Sequence, residues 1–317
     1  MLWLSVLELI GGFALLAISA HWLIAGASAL ALQVGLSASV IGLTVIAYGT
    51  SLPEMTVSTV SAISGNPEIA LGNVIGSNIA NIGLIIGLTA LFRPLPVERA
   101  FLRRDFPILA VVTGVLIYFL ADGSISRLEG AILFLAGIAY TVFLVVSTRG
   151  KADEGAVPAE AEQIDASMSR PKQIALIVLG LGGLIGGGRL GVMGAVDLAG
   201  AFGMSERVIG LTVVAVGTSL PELAASLMAA WRRQSGMALG NILGSNIFNI
   251  IFVLGVSALI HAITVPGGRA LQIDLGTMVA ITVLFGLFML TRRRISRLEG
   301  VLLILGYAAY TAYLVAF

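Results

Sequence analysis

The hexapeptide GTSLPE occurs twice, at 49–54 and at 217–222, each time inside an apolar run of membrane-spanning length. Thr50, Ser51 and Glu54 stand at i, i+1 and i+4, and Thr218, Ser219 and Glu222 repeat the spacing. On a helix these oxygens project over one sector. Pro53 and Pro221 have no N–H, so the carbonyls of Gly49 and Gly217 lose their helical donors. In the next apolar segment of each copy, Ser77 and Asn81 are i, i+4, as are Ser245 and Asn249. Carboxylates, hydroxyls, amide oxygens and bare carbonyls make a hard, all-oxygen ligand set suited to Ca2+ or Na+ and not to zinc or copper. Two carboxylates at ~6 Å repel by about 3 kcal/mol at an effective dielectric near 20. A divalent cation, Na+ ions or protons each remove that repulsion, and competition for shared ligands is the physical basis of exchange.

The elements that must carry these residues follow from composition. The 317 residues are 58% hydrophobic and 11% charged, with a net charge of +1. Apolar runs repeatedly exceed the ~20 residues that cross a bilayer, so the chain is a polytopic membrane protein. The charge balance leaves no footprint for nucleic acid. With no cysteine there is no disulfide, thiolate chemistry or Cys-based zinc site. The two histidines, His21 and His261, lie near predicted helix ends and read as interfacial anchors. The spacing predicts ten spans: 3–22, 36–63, 67–92, 104–121, 127–147, 173–193, 206–231, 236–262, 270–290 and 297–316. The first, which carries Glu8 and no positive leader, reads as a retained helix and not a cleaved signal. Of 17 acidic residues, only Glu54 and Glu222 fall near mid-span. A charge there costs roughly 2.5–3.5 kcal/mol on insertion, which marks both as functional candidates. Three features have blander readings. The pairs Gly72/Gly76 and Gly240/Gly244 read as close helix packing; Asn73, Asn78, Asn241 and Asn246 as interhelical hydrogen-bonding groups; and the glycine-rich 180–191 as helix packing and a flexible helix end, since no strand precedes it.

The chain is an internal duplication. Residues 42–54 match 210–222 in 11 of 13 letters, and 71–82 match 239–250 in 9 of 12, both at an offset of 168; SRLEG recurs at 126 and 296, an offset of 170. Five helices per copy turn the second copy over, so the expected fold is all-α, ten transmembrane helices in two inverted-topology five-helix repeats, with broken helices 2, 3, 7 and 8 forming a midplane ion site. The repeats are 1–148 and 173–317, joined by a polar cytoplasmic linker, 149–172. Fourteen of the 18 Lys and Arg fall in loops after odd-numbered helices, so the positive-inside rule places both termini outside.

At GTSLPE…GNVIGSNIAN and GTSLPE…GNILGSNIFN the sequence resembles the cation/calcium exchanger superfamily, in particular prokaryotic sodium/calcium exchangers, over essentially its whole length. The resemblance implies a multi-pass protein of a prokaryotic cytoplasmic (inner) membrane. It would extrude Ca2+ in exchange for Na+ by alternating access, with the first and sixth helices sliding against the rest. It also implies roles. Glu54 and Glu222 are the central Ca2+ carboxylates and Thr50 and Thr218 add oxygens beside them. Ser51 and Ser219 lie toward flanking Na+ sites, with Ser77, Ser245, the carbonyls of Ala47 and Ala215, and Asn81 at further Na+-ligand positions. Asn249 departs from the aspartate many members carry there, leaving two formal charges in place of three. The partners implied are Ca2+, Na+ and the lipid bilayer, with no cofactor, no enzymatic activity and no obligate protein partner. H+/Ca2+ exchange and K+ dependence stay open as alternatives, as does a passive cation channel. An intramembrane hydrolase lacks a nucleophile–base pair or HExxH.

Overall fold

A computed structural model describes residues 2–148, 167–202, 215–264 and 268–316. In hydrocarbon every backbone polar group must be satisfied within its own segment, and the described chain is accordingly almost entirely helical. The first repeat comprises α1 (Leu2–Val34), α2 (Ala38–Thr50), α3 (Leu52–Ile63), α4 (Pro67–Phe92), α5 (Phe101–Asp122) and α6 (Arg127–Thr148). The second comprises α7 (Arg170–Ala201), α8 (Ala215–Thr218), α9 (Leu220–Trp231), α10 (Ser235–Ile260), α11 (Arg269–Leu290) and α12 (Arg297–Ala316). Helices α2 and α3 form one bent span, and α8 and α9 are the described part of its counterpart. The protein is thus an all-α membrane protein of ten spans in two repeats.

The inversion is visible in two places. Equivalent helices α1 and α7 pack antiparallel: Gly12 lies against Gly191 and Gly187, Leu16 against Gly187, and Leu23 against Gly180. Four two-residue strands also pair between repeats, β1 (Leu95–Pro96) with β4 (Arg294–Ile295) and β2 (Ser124–Ile125) with β3 (Ile263–Thr264), both antiparallel. Leu95 and Ile263 are equivalent at the 168 offset, yet they sit in different pairs. Each strand pair closes one face of the molecule. The equivalent segments therefore lie on opposite faces.

Five expectations are corrected. Helices α4 and α10 are not broken. Each runs through a π-helical turn, Asn81–Ile86 and Asn249–Val253, because no proline follows their first turn and the extra residue is absorbed without loss of the ladder. Helices α1 and α7 have 33 and 32 residues and run well past the predicted ends at 22 and 193. At 1.5 Å per residue each is about 50 Å long, more than the ~30 Å hydrocarbon core. The glycine-rich stretch is therefore mid-helix in α7 and not a flexible end, and His21 lies inside α1, beside Arg232, where its ring nitrogens are 2.8 and 2.9 Å from the guanidinium. Of the predicted linker, 149–166 lies outside the described residues, and Arg170–Lys172 already belong to α7. Residues 203–214, at the start of the seventh predicted span, lie outside them as well.

The core is set by α4 and α10, whose spans are 78% and 83% buried, against 33% or less for the other six long spans. Gly240 and Gly244 let α10 approach α2 closely, where a methyl group would strike the Ser39 and Leu43 backbone. For Gly72 and Gly76 no described residue comes that close.

Candidate cation site

The site begins with two interrupted helices. Pro53 is the second residue of α3, where its missing N–H costs nothing, so the chain stops α2 at Thr50, turns at Ser51 (φ −85°, ψ 8°) and restarts with a 45° bend. Pro221 does the same between α8 and α9, with Ser219 at φ −91°, ψ 6°. Glu54 and Glu222 consequently lie in the first turns of α3 and α9. There, unpaired N–H groups and the helix dipole favour negative charge, while the carbonyl ends of α2 and α8 face the break and favour cations.

Both glutamates are buried, 1% and 0% exposed, and each is held from the opposite repeat. Ser51 Oγ donates to Glu222 Oε1 at 2.9 Å, and Ser219 Oγ to Glu54 Oε1 at 3.5 Å. The second oxygens, Glu54 Oε2 and Glu222 Oε2, are buried without a partner. The sequence repeat thus becomes a crossed pair in space, with serine of one copy on glutamate of the other. Thr50 Oγ1 reaches the carbonyl of Ala47 and Asn241 Oδ1, both at 3.3 Å. The Ala47 carbonyl also accepts from Ser51 N at 3.0 Å. Thr218 is half-buried beside the break, and Ala215 opens α8.

Helices α4 and α10 wall the site with amides. Asn73 Nδ2 donates to the Glu54 carbonyl at 3.2 Å and to Ser58 Oγ at 2.9 Å. Asn241 Nδ2 does the same to the Glu222 carbonyl at 3.3 Å and to Ser226 Oγ at 2.9 Å. Each asparagine pins the backbone of the carboxylate in its own repeat. Between repeats, Asn78 Nδ2 bonds the Asn246 carbonyl at 3.2 Å, Asn81 Nδ2 bonds Asn246 Oδ1 at 2.9 Å, and Asn249 Nδ2 bonds Asn78 Oδ1 at 3.1 Å. With their nitrogens committed, Asn81 and Asn249 present Oδ1 atoms that are buried without partners, as is Ser245 Oγ. Ser77 is 4% exposed, one turn before Asn81.

The structure therefore brings Thr50, Ser51, Glu54, Ser219, Glu222, Asn73 and Asn241 into contact at the two helix breaks, and joins Asn78, Asn81, Asn246 and Asn249 in a separate amide cluster between the repeats. Ser58 and Ser226 escape the sequence reading, although both recur at the 168 offset as hydroxyls within apolar helices. No group of three or more His, Asp or Glu occurs among the described residues. The available donors are two carboxylates plus neutral oxygens, a set suited to hard cations that give up water more readily than Mg2+ does.

The comparisons agree over the full length. The family model described as sodium/calcium exchanger protein matches residues 4–147 and 172–316. The sodium/calcium exchanger MaX1 of Methanosarcina acetivorans is 32% identical over 351 residues, covering 99% of each chain. Inner membrane protein YrbG of Escherichia coli is 37% identical over 319 residues, covering 98% of this chain and 97% of that one. A solved structure of the sodium-calcium exchanger NCX_Mj, soaked with Na+ and Ca2+, superposes with a TM-score of 0.84 at 33% identity, covering 98% of this chain and 99% of that one.

Proposed function

The chain belongs to the sodium/calcium exchanger family, and from that premise we propose that it is a secondary antiporter that extrudes Ca2+ in exchange for Na+ entering down its gradient, by alternating access. One observation carries this reading: two buried carboxylates from opposite repeats each have one oxygen held by a serine of the other repeat and one oxygen left unsatisfied. Unsatisfied charged oxygens at this depth are costly. A cation between them supplies the missing partner for both.

In this reading Glu54 and Glu222 are the central Ca2+ ligands, assisted by Thr50 and Thr218. Ser51, Ser219, Ser77, Ser245, Asn81, Asn249 and the carbonyls of Ala47 and Ala215 serve the Na+ positions around them. Two formal charges balance one Ca2+ or two Na+, so binding of either set is near neutral and the two exclude each other. The glycine contacts between α1 and α7 bring the two helices together as one unit, and in this reading that pair slides against the rest. The two repeats, 1–148 and 170–317, are joined on the cytoplasmic side by residues 149–169. The protein lies in a prokaryotic inner membrane with both termini outside. No enzymatic step and no resident cofactor is needed.

The test is radioactive Ca2+ uptake into proteoliposomes under an outward Na+ gradient, an outward H+ gradient or none, for wild type and Glu54→Gln. Accumulation driven by Na+ alone and lost in the variant is the expected result. Accumulation driven by H+ moves the protein to proton coupling, a requirement for K+ beside Na+ makes it the potassium-dependent kind, and equilibration without accumulation makes it a channel.

A further inference from the structure

We propose that the face closed by β1 and β4 carries a binding site for one anionic phospholipid, with its headgroup among Arg93, Arg233, Arg294 and Arg297 and an acyl chain along α1 and α9. A cavity of about 610 Å3 opens there, lined by these four arginines from three separate segments, with Ser235 and no carboxylate. It adjoins an apolar groove of about 340 Å3 lined by Leu16 and Ala17 of α1 and Leu220 and Leu227 of α9. Phe92 and Trp231 form the junction: Phe92 lines both spaces and stacks on Trp231 at 5.9 Å and 13°. Both rings are exposed, at 47% and 68%. Arginine headgroups, an amphipathic aromatic step and an apolar channel in that order match an anionic headgroup, its glycerol level and a fatty acyl chain. A soluble phosphate has no use for the groove.

The repeat supplies its own control. Arg233 occupies a left-handed conformation, φ 60°, at the end of α9, and its equivalent in the first repeat is Gly65, φ 78°, at the end of α3. Glycine is the residue this backbone favours. Arg292 and Arg293 share this conformation, at φ 52° and 48°, without lining the cavity; Arg233 both bears the conformational cost and lines it. Most other equivalents also lose the chemistry: Phe92 and Trp231 correspond to Ile260 and Ile63, Arg93 to His261, and Arg294 to Ser124 at the 170 offset, while Arg297 keeps an arginine, Arg127. The positive-inside rule asks for basic residues in the loops of this face. It does not ask that they converge on one cavity beside an aromatic pair.

The test uses the full-length purified protein, delipidated in detergent and mixed with equal phosphatidylglycerol and phosphatidylcholine, with bound lipid counted by native mass spectrometry. Wild type is expected to retain one phosphatidylglycerol selectively. Each arginine removed lowers retention about fivefold, so Arg233→Gly with Arg294→Ser lowers it by about 25-fold. Arg127→Ser on the opposite face leaves retention unchanged. Arg233→Gly restores the residue the backbone favours, so its lipid-free unfolding midpoint is expected at or above that of wild type, which separates lost binding from lost folding. Unchanged retention in the double variant overturns the proposal, as does equal retention of the two lipids. Displacement of the lipid by millimolar glycerol 3-phosphate also overturns it, in favour of a site for soluble anions.

Discussion

Removing the hydroxyl of Ser51 is expected to cost far more than removing that of Ser219, although the two are equivalent in sequence. Ser51 Oγ sits 2.9 Å from Glu222 Oε1, within the range of a charge-assisted bond, whereas Ser219 Oγ is 3.5 Å from Glu54 Oε1, at the outer limit. A hydrogen bond to a charged acceptor contributes about 1.5–3 kcal/mol. Glu222 Oε2 already lacks a partner, so Ser51→Ala removes the strongest side-chain hydrogen bond on that carboxylate and leaves it to Thr50 and its own backbone. The energy lost from positioning Glu222 corresponds to a fall of about 10- to 150-fold in apparent Ca2+ affinity. Ser219→Ala removes a bond worth about 0.5–1 kcal/mol and is expected to lower affinity by roughly two- to fivefold. The assay is Ca2+ binding to purified protein by isothermal titration, with Glu222→Gln and the Ser51→Ala/Glu222→Gln double variant completing a cycle. If Ser51 acts through Glu222, the double variant loses little beyond Glu222→Gln alone. Equal losses in the two serine variants, or additive losses in the cycle, would refute the crossed arrangement as the means of orienting the carboxylates.

Two further outcomes follow from the same geometry. Asn249→Asp puts a third carboxylate at a position whose Oδ1 already lacks a partner, so apparent cation affinity is expected to rise; it also loses the donor to Asn78 Oδ1, lowering stability by about 1–3 kcal/mol. Titration and unfolding midpoints measured on one preparation check both signs, and a fall in affinity defeats the prediction. The chain has no cysteine, so single substitutions report topology directly. Ser124→Cys, paired with Thr264 across β2 and β3, is expected to react with an impermeant thiol reagent from outside the cell, and Arg294→Cys only from inside. The opposite pattern inverts the orientation.

Much of this protein was legible in the amino-acid order. Duplication fixes letters, so the 168-residue offset exposed the two repeats. Odd helix number then required their inversion, which the antiparallel α1/α7 contact displays. The hydrocarbon solvent penalises charge, so two mid-span glutamates with hydroxyls at helical spacing stood out as a candidate site, and the structure buries both. Proline's missing N–H located the breaks after Thr50 and Thr218. Other features needed the tertiary fold. The lengths of α1 and α7 were hidden because ~20 apolar residues already cross a bilayer and because Gly26 and Gly194, just past the predicted ends, look like helix breakers until a facing backbone fills the space they leave. The continuity of α4 and α10 depended on π-helical turns, whose register no local signal announces. Above all, identical motifs cannot say which partner each meets. Only the packing of the inverted copies placed Ser51 on Glu222 rather than on Glu54, and gave the two crossed bonds different lengths. The same packing drew four arginines from three loops into one cavity, because contact between distant segments is a property of the folded chain and not of its order.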